Sequence, residues 1–254
     1  MRPGLYRCVN CRGGLSLNHE DLSCGNCGET YAVVNDIPYF IPEQLPSQAG
    51  SLGLASRLFE SPLLYDWLVS LKTLVAPDRK LGIRDLTDGR SLLNIGCGSN
   101  VESKHLEYDI HALSDFAAVD VSPNFVETAK KNCSRRDVDF CVASVDKLPY
   151  DDSSFDVVII PFVLHHLPFP VDIAIGEALR VAKRQVVIYD HMKSGERGVV
   201  RAVQELYWRV FDGGYQYLTS GEWEAALKGR KITRSIHTGA IGKHVFKFVL
   251  EKGR

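Results

Sequence analysis

Between residues 86 and 190 the apolar positions fall into short runs, at 91–95, 116–120, 138–142, 155–160 and 185–189, separated by stretches with helical spacing. Runs of this length, apolar on both faces, predict buried strands. Ser122-Pro123 supplies an N-cap and a first-turn proline for a helix that continues through about Cys133. A further helix is expected from about Val101. Strand and helix in alternation demand a mainly parallel sheet with helices on its faces. Residues 232–236 and 244–250 alternate with period two and predict a closing antiparallel hairpin.

Upstream the pattern changes. Leu63, Leu64, Trp67, Leu68, Leu71, Leu74 and Val75 keep three- and four-residue spacing between Ser61-Pro62 and Pro77, which predicts one amphipathic helix. Its polar face is mixed, so packing on the sheet edge or over a site is expected. Pro38, Pro42 and Pro46, followed by residues 47–51, have linker composition. Downstream, Val199, Val203, Leu206, Tyr207 and Val210 mark another helix, and Thr219-x-x-Glu222 forms a capping box. Trp208, Tyr215, Tyr217 and Trp223 are available for an acceptor pocket, although packing between helix and sheet is the expected use of most of them.

Cysteine usage separates the N-terminus from the rest. Four of the seven cysteines form the pairs Cys8-Val9-Asn10-Cys11 and Cys24-Gly25-Asn26-Cys27, twelve residues apart. At that spacing four thiolates converge on one zinc ion. Glycines beside both pairs permit tight turns, and the strands expected at 15–17 and 31–33 complete a rubredoxin-like ribbon too small to fold without its ion. With all four positions filled by cysteine, no site remains open to substrate, so the zinc is expected to be structural.

Composition adds exclusions. The formal charge of −1 is spread along the chain and announces no nucleic-acid coat. The longest apolar stretch, 157–164, is too short to cross a bilayer, and no apolar run follows Met1 and Arg2. A soluble, cytoplasmic protein is expected.

The strand at 91–95 runs into Gly96-Cys97-Gly98, where glycine permits a sharp turn and close approach of a ligand, and the following helix offers its amides. A second strand ends in Asp120, 24 residues after Gly96, where a carboxylate can accept both ribose hydroxyls of a nucleotide. Such a loop serves dehydrogenases equally well.

Later segments discriminate. Leu93-Asn94-Ile95-Gly96-Cys97-Gly98 resembles the first motif of class I methyltransferases, and Val119-Asp120-Val121-Ser122-Pro123 their second. Leu148-Pro149-Tyr150 and residues 153–158 resemble the segment through their fourth strand. Leu164-His165-His166-Leu167-Pro168, then 177–181 and 185–189, look like the remainder of the ubiquinone-methylase-like branch, the type 11 group. The resemblance covers roughly 86–252 and implies an α/β, Rossmann-like, seven-stranded sheet that is mostly parallel, with the antiparallel hairpin at its end. It divides the chain into a zinc ribbon (1–42), a linker with a leading helix (43–85) and the cofactor-binding domain (86–254).

It also implies S-adenosylmethionine as cofactor, with Asn94, Gly96, Cys97 and Gly98 toward the methionine part. Asp120 and Val121 then face the ribose, Ser144 and Val145 the adenine, and Pro161 closes the site. Asn94 stands where the family usually has an acid, and Ser144 where many members have an aspartate, with Asp146 two residues later. His165, after the fourth strand, is the candidate base.

The fourth strand lacks the Asn/Asp-Pro-Pro-aromatic sequence of exocyclic-amine methylases, having Pro161-Phe162 instead. Methylation of a small or lipid-like molecule at oxygen or carbon is the first expectation. RNA base methylation is the second, since ribosomal-RNA guanine methylases also join a zinc ribbon to this domain. Lys130, Lys131, Arg135 and Arg136 could meet its phosphates. A non-catalytic module that docks a protein partner through the ribbon is the third.

Overall fold

The computed structural model describes residues 1–19, 21–41, 82–99, 101, 108–193, 198, 214–238 and 244–253. The helices expected at 61–77 and 199–210, most of the one from Val101, and Asn100 and Trp208 lie outside them.

The first sheet is antiparallel, in the order β1 (Leu15–Asn18), β2 (Asp21–Cys24), β3 (Thr30–Val34), β4 (Ile37–Pro38). Asn35 and Asp36 turn β3 into β4 with φ of 52° and 57°. A two-residue hairpin needs positive φ at both positions, and asparagine and aspartate tolerate it best after glycine. Pro38, expected to open a linker, instead ends this sheet in β4, where proline is tolerated at an edge.

The second sheet has seven strands: β5 (Ser91–Ile95), β6 (Asp115–Asp120), β7 (Asp139–Val142), β8 (Phe155–Pro161), β9 (Ala182–Met192), β10 (Lys231–Thr238) and β11 (His244–Glu251). Their order is β10-β11-β9-β8-β5-β6-β7. Strands β5 to β9 pair in parallel, whereas β11 is antiparallel to β9 and β10 to β11. Helices α1 (Arg84–Thr87), α2 (Pro123–Asn132), α3 (Val171–Val181) and α4 (Ser220–Ala226) accompany it. The Thr219 capping box opens α4, with the Glu222 amide donating to the hydroxyl and the Thr219 amide to the carboxylate.

Every residue of β5 is buried, and its side chains alternate between two cores. Leu93 and Ile95 join Val119, Ile160 and α3 on one face, while Leu92 packs with Phe116, Phe140 and Val126 of α2 on the other. This accounts for the apolar runs in sequence, since a parallel strand covered on both faces keeps no polar side.

The ribbon packs on the β7 edge. Tyr6, Leu22, Tyr31 and Phe40 belong to the same apolar cluster as the α3 face, and Ile37 belongs to the other cluster. The Phe40 amide donates to the Val142 carbonyl at 2.7 Å, and Tyr39 bridges Val142 in parallel fashion. Arg2 fastens the start of the chain, its amide donating to Asp139 at 2.7 Å and its guanidinium reaching both Asp139 and Asp115. An edge strand left bare would template pairing with another chain, and the ribbon covers this one.

Candidate functional site

Strand order reverses between β5 and β8, because the chain moves outward through β6 and β7 and then returns to the far side of β5. Ligands of open α/β sheets gather at the carboxyl ends of the strands at such a point. Gly96, Cys97 and Gly98 leave β5 there.

Gly96 has φ of +70° and Gly98 of +58°, in the left-handed region that favours glycine. A Cβ on Gly96 would lie 2.0 Å from a Val163 methyl, so backbone and neighbour both require its absence. Gly96→Ala is expected to destabilise the protein by about 1–3 kcal/mol through overpacking and strain. Thermal unfolding measures this, and an unchanged midpoint would show that Val163 yields freely.

The amides of Gly96 and Cys97 donate to the Val119 carbonyl at 2.7 and 3.1 Å, which binds the loop to β6. One Asp120 oxygen accepts the Gly98 amide and the other the Ser122 amide, each at 2.9 Å. Each oxygen therefore keeps acceptor capacity for a further donor. Burial raises the Asp120 carboxyl above its ordinary value, opposed by the amides of Ser122, Gly98 and Val121.

Asn94 is 2% exposed, and its amide nitrogen donates to the Tyr108 hydroxyl at 3.5 Å, which in turn donates to the Val101 carbonyl. Its Oδ1 is buried with no hydrogen-bond partner among the described residues. A buried acceptor left unpaired is costly, and a donor group of a ligand would relieve it. The Ser144 hydroxyl donates to Asp146, so the two polar residues at the end of β7 act together, and Val145 beside them is buried.

Pro161 ends β8, and Phe162 follows with φ of +58°, an uncommon conformation for a bulky residue. Its amide donates to the Tyr189 carbonyl at 2.7 Å. The bend delivers Val163 against Gly96 and starts the short 3₁₀ turn Leu164–His166.

His165 sits on that turn, 3% exposed. Its Nδ1 lies 2.5 Å from Asp190 Oδ1, and its amide donates to the other carboxylate oxygen at 3.2 Å. Burial pushes the Asp190 carboxyl up, but the charge and hydrogen bond of His165, with His191 alongside, outweigh it and hold it below the ordinary value. The Tyr217 ring stacks on the imidazole at 5.3 Å, and the amides of Tyr215 and Gln216 donate to the His165 carbonyl. The Gln216 side-chain amide lies within bonding distance of the carbonyls of Leu164, Leu167 and Phe169. Gly214 allows this closeness, since a Cβ there would be 2.5 Å from the Tyr217 hydroxyl.

Asp190 and Gln216 were not among the predicted site residues. For Asp190 a signal existed, an acid at the end of a buried strand beside the one that leads to the histidine. Nothing local marked Gln216. Of the aromatic residues considered for an acceptor wall, Trp223 packs on Phe248 in the core and Tyr217 faces His165.

The four N-terminal thiols converge, with all Sγ atoms within 4.8 Å of one another. Cys8 and Cys27 are 3.6 Å apart, and Cys11 and Cys24 3.4 Å. A tetrahedron of sulfurs at zinc-bonding distance has edges of about 3.8 Å, so the donor set fits that ion. Burial pushes the Cys8 thiol up, but the Tyr31 hydroxyl and the amides of Cys11 and Asn10 bring it down to about 6.

The helix α2 ends at Asn132, so Arg135 and Arg136 lie beyond it, and Lys130, Lys131 and Arg135 are engaged within the chain. Lys130 donates to the Asn35 carbonyl of the ribbon, and Lys131 pairs with Glu127 at 3.8 Å. Arg135 holds Asp137 and donates to the carbonyls of Ile110 and Leu113.

Residues 93–189 match the family model described as a methyltransferase domain. The chain carries a class I S-adenosylmethionine-dependent methyltransferase domain. Over 95 residues the chain is 35% identical to 27-O-demethylrifamycin SV methyltransferase of Amycolatopsis mediterranei, covering 36% of this chain and 34% of that one. It is 34% identical over 95 residues to demethylmenaquinone methyltransferase of Renibacterium salmoninarum, covering 37% and 38%. The chain thus spans little more than a third of the curated relatives it matches. A methyltransferase structure from Thermotoga maritima superposes with a TM-score of 0.56 at 16% identity, over 78% of this chain and 99% of that one, which shows the fold of the methyltransferase domain.

Proposed function

We propose that the protein methylates a small or lipid-like acceptor at oxygen or carbon, with His165 as general base. The observation that carries this reading is the buried pair of His165, on the turn after β8, with Asp190 of β9, the same turn being preceded by Val163 against the Gly96 loop. The names of the two curated relatives, a rifamycin and a menaquinone methyltransferase, support the acceptor class.

S-adenosylmethionine supplies an electrophilic methyl group on a sulfonium, which leaves as a neutral thioether. The chain must align the acceptor and remove its proton. With Nδ1–H donated to the Asp190 carboxylate, the basic lone pair of His165 resides on Nε2, and the carboxylate stabilises the imidazolium that forms. Asp120 accepts the ribose hydroxyls on lone pairs that Gly98 and Ser122 leave available. The Asn94 Oδ1 accepts from the cofactor's ammonium, replacing the usual charge with a neutral acceptor. Ser144 and Asp146 face the adenine amino group, beside Val145. Gly96, Cys97, Val121 and Pro161 shape the walls.

Cys8, Cys11, Cys24 and Cys27 hold a structural zinc ion. We assign residues 1–42 to the ribbon, 43–85 to a linker and leading helix, and 86–254 to the cofactor-binding domain, with the ribbon against the β7 edge. Among the described residues no helix is long and apolar enough to cross a membrane. The engagement of Lys130, Lys131 and Arg135 favours a small acceptor over RNA.

Calorimetric titration with S-adenosylhomocysteine tests the cofactor site. One ligand per chain is expected, and Asp120→Ala is expected to weaken it by about 100-fold, since two hydrogen bonds to a charged group are lost. Absence of binding to the unaltered protein at millimolar ligand would remove the reading.

A further inference from the structure

We propose that Arg12 couples the metal ribbon to the loop facing the adenine, so that a filled four-cysteine site tightens cofactor binding. The inference rests on the cofactor reading above and adds a positioning residue outside the methyltransferase motifs.

Arg12 directly follows the ligand Cys11 and has φ of +63°, a conformation an arginine keeps only where its surroundings impose it. Its amide donates to the Cys8 carbonyl at 2.9 Å, closing the first cysteine turn. The backbone of Arg12 is therefore part of the knuckle that the metal organises. Its side chain leaves the ribbon altogether. Nη1 donates to the Leu148 carbonyl at 2.9 Å, and Nη2 reaches Glu177 Oε1 at 2.9 Å. That same carboxylate oxygen accepts the Leu148 amide at 2.9 Å. Both backbone polar groups of Leu148 are thus held by Glu177 and two guanidinium groups, since Arg180 of α3 also donates to the Leu148 carbonyl at 3.2 Å and to Glu177 at 2.7 and 2.8 Å, and Arg12 is the contribution of the ribbon. One residue on, the Pro149 carbonyl accepts the Arg7 amide at 2.9 Å, so a second ribbon residue, next to Cys8, grips the same segment.

From Leu148 the chain runs back directly to the cofactor site. The Lys147 amide donates to the Ser144 carbonyl at 3.1 Å, closing a turn that contains Val145 and Asp146. The Ala143 amide donates to the Asp120 carbonyl at 3.1 Å, and the Val142 carbonyl accepts the Phe40 amide from the ribbon. The loop from 142 to 149 is therefore held by the ribbon at both ends, through backbone atoms, while its middle carries Ser144, Val145 and Asp146. Loop geometry set in this way depends on where the cysteine turn places Arg12, and the metal decides that. Coupling between two binding sites is reciprocal, so the cofactor must tighten the metal by the same factor.

The test uses the full chain. Zinc-loaded wild type, Arg12→Ala and Arg12→Lys are titrated with S-adenosylhomocysteine by calorimetry, with zinc content measured on the same samples. Arg12→Ala with one zinc per chain is expected to bind about 10-fold more weakly. Arg12→Lys, which can still donate to the Leu148 carbonyl, is expected within about 3-fold of wild type. Zinc affinity, measured by chelator competition, is expected to rise about 10-fold with saturating S-adenosylhomocysteine in wild type and to stay constant in Arg12→Ala. Binding by Arg12→Ala within about 2-fold of wild type overturns the coupling. Should that variant not fold, a wild-type zinc affinity unchanged by the ligand overturns it equally. Absence of ligand binding to zinc-loaded wild type would instead remove the cofactor reading itself.

Discussion

Asp190→Asn should lower kcat for methyl transfer by about 10²–10⁴, the range expected when a positioned general base is disabled. Asp190 is fully buried, with one carboxylate oxygen 2.5 Å from His165 Nδ1 and the other accepting the His165 amide. Asparagine preserves the shape but brings an NH₂ group that cannot accept, and its neutral amide gives no electrostatic support to an imidazolium. The imidazole is then free to present the wrong tautomer to the acceptor. His165→Ala should fall at least as far, whereas S-adenosylhomocysteine affinity should stay within a few-fold in both, because neither side chain belongs to the Gly96–Asp120 cradle. The split between lost turnover and retained ligand affinity distinguishes a base from a packing residue. The pH profile adds a sign. The Asp190 carboxyl is held below its ordinary value, so it is ionised throughout the neutral range. Removing its charge disfavours the imidazolium, and the acid limb of kcat/KM should move to lower pH. Full turnover by either variant would remove the proposed role.

Stripping the metal should have the largest effect on stability. The protein purified without chelator is expected to hold about one zinc per chain, and less than about half an equivalent would sink the metal assignment. The four thiols within 4.8 Å of one another have no comparable bond between them once the ion is gone. What unravels is more than a ribbon, since Tyr6, Leu22, Tyr31 and Phe40 share an apolar cluster with Leu148, Tyr150 and α3. The Tyr6 ring lies tilted against that of Tyr150 with centroids 5.8 Å apart, and Phe40 supplies a backbone bond to the outermost strand. A loss of about 5 kcal/mol corresponds to a fall of roughly 10–20 °C in the unfolding midpoint of a chain this size. Cys24→Ser, which removes one ligand, should reproduce much of it. Cys133→Ser, at the end of α2 and outside the cluster, should leave the zinc content unchanged. A chelated protein that unfolds at the same temperature as the loaded one would contradict the structural role.

The strand runs from 91 to 189 were legible because a parallel strand buried on both faces leaves an unbroken apolar signature, and each lies within a few residues of its observed bounds. The cysteine cluster was legible because two CxxC turns fix the spacing of four thiols locally. The β3–β4 hairpin was not, because Pro38, Pro42 and Pro46 have the composition of a linker, and only pairing with a neighbouring strand makes Ile37–Pro38 part of a sheet. The basic residues in and after α2 could not be assigned either, since whether a lysine meets a phosphate or a carbonyl depends on what lies opposite. Lys130 meets Asn35, 95 residues away in sequence.

Sequence alone determined the two centres of chemistry, four converging thiols and a glycine loop with an acid one β-α-β unit later, because both depend on short-range spacing. Tertiary structure alone decided how they are joined. It placed Asp190 under His165, 25 residues apart, and Arg12 on Leu148, 136 residues apart. It also laid the ribbon along the β7 edge, directly against the loop after Asp139–Val142. Hydrogen bonds between distant backbone and side-chain atoms leave no periodicity in the chain, and only the folded sheet brings their partners together.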